Sequence, residues 1–124
     1  MLLSAALLAG CGGSPGDLIE IRSSGGPAQR EQRIVVGGDG RSTCNGGPEQ
    51  DIGSDGLIEA REIERELTDL AERAAVYESA RGEAVNYVAR TKDGTVRWQE
   101  GGEGLPSVLP QAQLFVLQQG RRLC

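Results

Sequence analysis

The 124-residue sequence contains no histidine. That absence removes Ser-His-Asp and Cys-His catalysis and every zinc site built on imidazole. Lysine occurs once, as Lys92. An enzyme made from this chain would need paired carboxylates or a lone Ser/Lys arrangement, and Lys92 falls at a hairpin turn. Aromatic residues number four, Trp98, Tyr77, Tyr87 and Phe115. No basic patch stands out along the chain, and the formal charge of -5 is mixed throughout. Nucleic acid is therefore not an expected partner. No apolar run reaches the roughly 20 residues needed to cross a bilayer.

The one apolar run present is at the front. Eight of the first nine residues are apolar or alanine, with Ser4 the exception. Gly10-Cys11 ends it, and Gly12, Gly13, Ser14, Pro15 and Gly16 follow. The length suits the h-region of a secretory signal. Small residues before a cysteine resemble the lipobox of bacterial lipoproteins. That resemblance implies diacylglycerol on the Cys11 thiol, cleavage between Gly10 and Cys11, and an acylated (palmitate-bearing) new amino terminus. A signal peptide carries a positive n-region, yet no Lys or Arg precedes Arg22. A start upstream of Met1 is the expectation that accounts for this. The alternative is an N-terminal helix packed on a globular body, with Cys11 incidental. The division is thus a signal peptide at 1–10, a tether at 11–16 and one small domain at 17–124. The expected location is the bacterial cell envelope, outside the cytoplasm, with membrane lipid as one partner.

With Cys11 carrying lipid, Cys44 and Cys124 remain, and export exposes them to oxidising conditions. They are expected to form one disulfide. Two free thiols, or pairing between chains through Cys124, are the alternatives.

Residues 17–22, with β-branched Ile19 and Ile21 on one side, predict a strand that Ser23-Ser24-Gly25-Gly26-Pro27 breaks. Gln32 to Val36 predicts a second, with Ile34 and Val36 on one face. Asp39-Gly40 turns it into Arg41–Cys44, and Asn45-Gly46-Gly47-Pro48 ends that hairpin.

Asp51, Asp55, Gly56, Ile58 and Glu62 fall at positions 1, 5, 6, 8 and 12 of an EF-hand calcium loop. Position 3 is Gly53, and the entering helix is missing. A degenerate calcium site on Asp51, Asp55 and Glu62 is one reading. The simpler one makes Ser54 or Asp55 the cap of the next helix, with Glu59 and Glu62 near its positive end. We take the simpler reading, with no metal and no cofactor.

That helix shows Ala60, Ile63, Leu67, Leu70, Ala71 and Ala74 as one apolar stripe at spacings of three and four. Charged residues cover the rest, with Arg65–Asp69 and Asp69–Arg73 as expected neighbour pairs. Arg81-Gly82 closes the connection. A second hairpin alternates through 85–91, turns at Asp93-Gly94 and returns through 95–99. Its Val85, Tyr87, Ala89, Val96 and Trp98 share one face, while Asn86, Arg90, Arg97 and Gln99 share the other. We place Trp98 in the core; a ligand-stacking platform is the alternative. A last helix begins at Ser107 as cap, with Pro110 in its first turn, and Gly120 ends it. Its wide apolar arc, Ala112 and 114–117, predicts burial. The fold class is α+β: an antiparallel sheet of four to five strands, two hairpins and a single strand, under two helices.

A strand ending in Ser24-Gly25-Gly26, then Arg33-Ile34-Val35-Val36, a central helix, the Tyr87…Asp93-Gly94 hairpin and Leu105-Pro106 resemble the emfourin family. Those are small bacterial inhibitors of thermolysin-like metalloproteases of the protealysin type. The resemblance spans Asp17 to Gln119 and implies a wedge that blocks an active-site cleft with its loops. This chain departs from the family in its lipobox and its cysteine pair. Ser24, Gly25 and Gly26, with Gly46 and Gly47, are the candidate binding residues. The expectation is a non-catalytic module, not an enzyme, whose partner is an extracytoplasmic protease or other envelope protein. A structural lipoprotein or a calcium binder is the alternative.

Overall fold

A computed structural model describes residues 16–79 and 82–124 of the chain. The leader, Cys11 and Arg81 lie outside the described residues. The alternating strands form as their pattern dictates. In β1 (Asp17–Gly25) Ile19 and Ile21 are buried, and in β2 (Gln32–Gly37) Ile34 and Val36 are. After a Gly38–Gly40 turn, β3 (Arg41–Cys44) returns beside β2, with Ser42 and Cys44 inward. Two-residue β4 (Gln50–Asp51) leads into α1 (Gly53–Glu72), and two-residue β5 (Val76–Tyr77) follows it. The second hairpin is β6 (Val85–Thr91) and β7 (Gly94–Gln99), and α2 (Val108–Leu123) closes the chain.

The class is α+β. Among the described residues seven strands run in the order β4-β3-β2-β1-β6-β7-β5, so β1 sits in the middle with a hairpin on each side. That is more than the four to five expected, and the sheet is mixed, because β5 lies parallel to β7. The two additions are two residues long. A pair of residues has no period, and only tertiary pairing defines it.

Both helices cover the same face. Ile63, Leu67 and Leu70 of α1 and Leu109, Ala112, Phe115 and Val116 of α2 meet the inward residues of the strands in one core. Among the described residues, no element covers the opposite face of the sheet.

The second hairpin corrects the expected register. Thr91 pairs with Gly94 and Ala89 with Val96, so Lys92-Asp93 forms the turn and Gly94 opens β7. The slip is two residues, an even number, so each residue keeps its expected face. Gly94 stands at φ +141°, and a Cβ there would lie 2.3 Å from the Ala71 carbonyl oxygen. Glycine lets the hairpin start directly against the C-terminal end of α1, which a turn one step earlier accommodates.

Other expectations are corrected locally. Neither Ser54 nor Asp55 caps α1. Ile52 holds the cap position without a side-chain bond, and Asp51 Oδ1 accepts from the Gly53 amide at 2.7 Å. The stripe ends at Ala71, because Ala74 lies past the helix in the left-handed region at φ +50° and is exposed. The pairs Arg65–Asp69 and Asp69–Arg73 are not formed; Glu64 of α1 meets Lys92 instead, at 3.5 Å. Ser107 sits at the α2 cap without making a cap bond. Gly120 does not end α2. It lies inside the last turns where a Cβ would meet the Gln32 side chain at 2.7 Å, so the residue serves close packing. Leu114 and Leu117 are exposed, since only one arc of α2 faces the sheet.

Candidate functional site

The two glycine-rich loops singled out from the sequence lie side by side. Ser23 pairs with Gln32 across β1 and β2, and the Asn45 amide donates to the Arg33 carbonyl at 2.9 Å. The 26–31 connection and the loop after β3 therefore leave the sheet at the same end. Their conformations are set by backbone chemistry. Gly25 and Gly26 stand at φ +81° and +73°, and Asn45 and Gly46 at +52° and +74°. A Cβ on Gly26 would meet Val85 Cγ2 at 2.7 Å, so only glycine lets this loop lie on β6. Asn45 Oδ1 also accepts from the Arg33 amide at 2.8 Å, and the Gly47 amide donates to the Cys44 carbonyl at 2.9 Å. The loops are pinned at their roots.

The expected disulfide is present. Cys44 at the end of β3 is bonded to Cys124, the C-cap of α2, with Cα atoms 5.5 Å apart. It fastens the last turns of α2 beside the loops. Gln32 Nε2 reaches Cys124 Sγ at 3.0 Å, and Gln50 Nε2 donates to the Leu123 carbonyl at 3.3 Å.

Between the 26–31 connection and the end of α2 runs a cleft of about 650 Å³, lined by Gly25, Gly26 and Pro27 on one side. Leu117, Gly120 and Arg121 line the other, with Tyr87 also in its wall. Asn45 reaches this cleft; Gly46 and Gly47 stand outside it on the neighbouring loop. Sequence reasoning missed the α2 wall. Its signal is the apolar arc continuing to Leu117, one helical turn before Gly120, a pattern that on its own predicts burial.

Desolvation, with a smaller contribution from the Glu100 carboxylate, pushes the Tyr87 phenol above its ordinary value. A folded value above the unfolded one gives stability that is complete below about pH 10 and is lost as pH rises through the folded value. Wild type should therefore lose stability against Tyr87→Phe as pH rises above about 10, read from urea midpoints. Parallel curves for the two proteins would refute this.

Asp51, Asp55 and Glu62 are not gathered. Asp51 ends β4 with its carboxylate on the Gly53 amide, Asp55 is in the first turn of α1, and Glu62 lies further along it. Among the described residues no group of three or more Cys, Asp or Glu side chains could hold a metal ion. Nor is any helix there long and apolar enough to cross a membrane. Trp98 is a core residue, 2% exposed and stacked on Tyr87 with ring centroids 5.3 Å apart. What the cleft offers is shape and loops pinned at their roots. Comparison of the chain with protein families, with characterised proteins and with solved structures finds no match.

Proposed function

We propose that the chain is a lipoprotein of the bacterial envelope, anchored through Cys11, whose body is a non-catalytic protein-binding module. Its binding element is the pair of loops around Gly25-Gly26 and Gly46-Gly47, used as an emfourin-like wedge against a thermolysin-like metalloprotease. The observation that carries this reading is the convergence of both loops on one end of the sheet, beside the disulfide. Loops pinned at their roots lose less entropy on docking than free ones, which favours tight inhibition. A wedge needs no histidine, no metal and no nucleophile of its own, in keeping with this composition.

The test uses the full chain carrying Cys11→Ala, oxidised, against a thermolysin-like protease with a peptide substrate. Inhibition at or below micromolar concentration is expected. Pro27→Trp and Pro48→Trp, both at exposed positions, should each weaken it by more than about tenfold by altering the wedge's shape. Absence of inhibition at about 100 μM, or inhibition untouched by both loop variants, would refute the reading. Mass spectrometry of the native protein tests the anchor separately, since an unacylated Cys11 would remove it.

A further inference from the structure

The face of the sheet that no described element covers is not the mixed surface that the linear charge distribution suggests. Outward residues of four adjacent strands line up across the register. Arg97 lies opposite Val88, Val88 opposite Arg22, and Arg22 opposite Arg33. At strand spacings of about 4.8 Å this row crosses about 14 Å of sheet. In the next row Arg90 lies opposite both Thr95 and Glu20, and Glu20 opposite Val35.

Four arginines thus share the centre of one face with a single carboxylate, in a chain of formal charge -5. Glu20 is taken by Arg22 at 2.6 Å. Arg33, Arg90 and Arg97 meet no carboxylate among the described residues. Asp17, Asp39 and Glu49 also line the groove on this face, together with Arg41, which meets Glu49 at 3.6 Å. Placing Arg22 directly opposite Arg33 is unfavourable for the sheet by itself. A row of arginines with Val88 within it and Val35 in the next row suits a flat anionic surface. Guanidinium groups bind phosphate through paired donors, and the valines meet apolar material between headgroups.

We infer that this face docks on the phosphates of anionic phospholipid headgroups, laying the sheet against the membrane that holds the anchor. The choice of a membrane rests on the lipoprotein reading and on where the tether joins. Gly16 lines the same groove, and its carbonyl accepts from the Gly38 amide at 2.7 Å. The five residue steps from Cys11 to Gly16 span at most about 18 Å. The anchor therefore holds this face near the bilayer, and docking leaves the helical layer pointing away from it.

Full-length chain carrying Cys11→Ala is titrated with phosphatidylcholine vesicles with and without phosphatidylglycerol, followed by co-sedimentation. Binding should require the anionic lipid and fall more than about tenfold between about 0.05 and about 0.5 M salt. The double variant Arg90→Gln/Arg97→Gln should weaken it about 25-fold, at about fivefold per arginine. Arg65→Gln/Arg73→Gln removes the same charge from the helical side and should leave binding unchanged. Equal binding to neutral vesicles would overturn the inference, as would equal loss in the two double variants. Tighter binding to soluble poly-glutamate or duplex DNA than to vesicles would also overturn it, in favour of an acidic macromolecule. An unacylated Cys11 in the native protein would remove the anchor while leaving the vesicle result standing, so the two failures are distinguishable.

Discussion

Removing the Cys44–Cys124 bridge should lower folding stability by about 4 kcal/mol. The cysteines are 80 residues apart, and on the chain-entropy model closing a loop of that size restricts the unfolded chain by about that amount. Domains of this size hold only about 5–15 kcal/mol in all, so a large share of the margin is at stake. The melting temperature should fall by about 20 °C in Cys44→Ser/Cys124→Ser, and reductant added to wild type should reproduce the fall. Remaining bonds will not replace the bridge. Gln50 to the Leu123 carbonyl and Arg122 to the Ile52 carbonyl are 3.3 and 3.4 Å long, and such bonds are worth about 1 kcal/mol each. A shift under about 4 °C would mean that α2 is held by packing alone. The same variant should also blunt any inhibition, because the last turns of α2 form one wall of the loop cleft.

Trp98→Ala should destabilise the fold by about 3–5 kcal/mol, the usual range for truncating a buried large aromatic. Trp98 is almost fully buried, lies flat on Tyr87 with 12° between ring planes, and donates from Nε1 to Gln113 Oε1 at 2.9 Å. That last bond ties β7 to α2, so the substitution also releases a helix from the sheet. Trp98→Phe keeps much of the volume and should lose about half as much. Urea denaturation measures both. Because Trp98 is the only tryptophan, its fluorescence gives an independent check. Iodide should quench it in the unfolded chain and hardly at all in the folded one. Strong quenching in the native protein would return Trp98 to the role of a surface platform.

The long pieces of this fold were legible because their patterns are long. Ile19 and Ile21, Ile34 and Val36, and Tyr87 and Ala89 alternate over enough residues to fix a strand and its inner face. Ile63, Leu67 and Leu70 do the same for α1. What escaped was what tertiary contact decides. β4 and β5 exist only because β3 and β7 offer them an edge. The second turn moved one step back because Gly94 had to meet the Ala71 carbonyl, a clash partner far away in sequence. Leu114 and Leu117 were expected inside since apolar residues fill most of that stretch. A helix over a single sheet face buries one arc, and that arc passes through Ala112, Phe115 and Val116.

The candidate site was legible to the same degree. Glycine clusters at 25–26 and 46–47 mark loops wherever they occur, and the structure brings those two together. Their adjacency depends on which strands pair, and neither loop carries that information. The arginine face was hidden for a related reason. Arg22, Arg33, Arg90 and Arg97 are scattered along the sequence, and alternation alone says only that each points outward. It takes the register of four strands to put three of them in one row.

The central position of β1 has a mechanical consequence. A pull on the N-terminal end of β1, such as the proposed anchor would deliver, acts along a strand hydrogen-bonded on both sides, to β2 and to β6. Such a load must shear two ladders at once instead of peeling one from the margin. A body fastened there can resist drag or a departing partner with the strongest direction its backbone has.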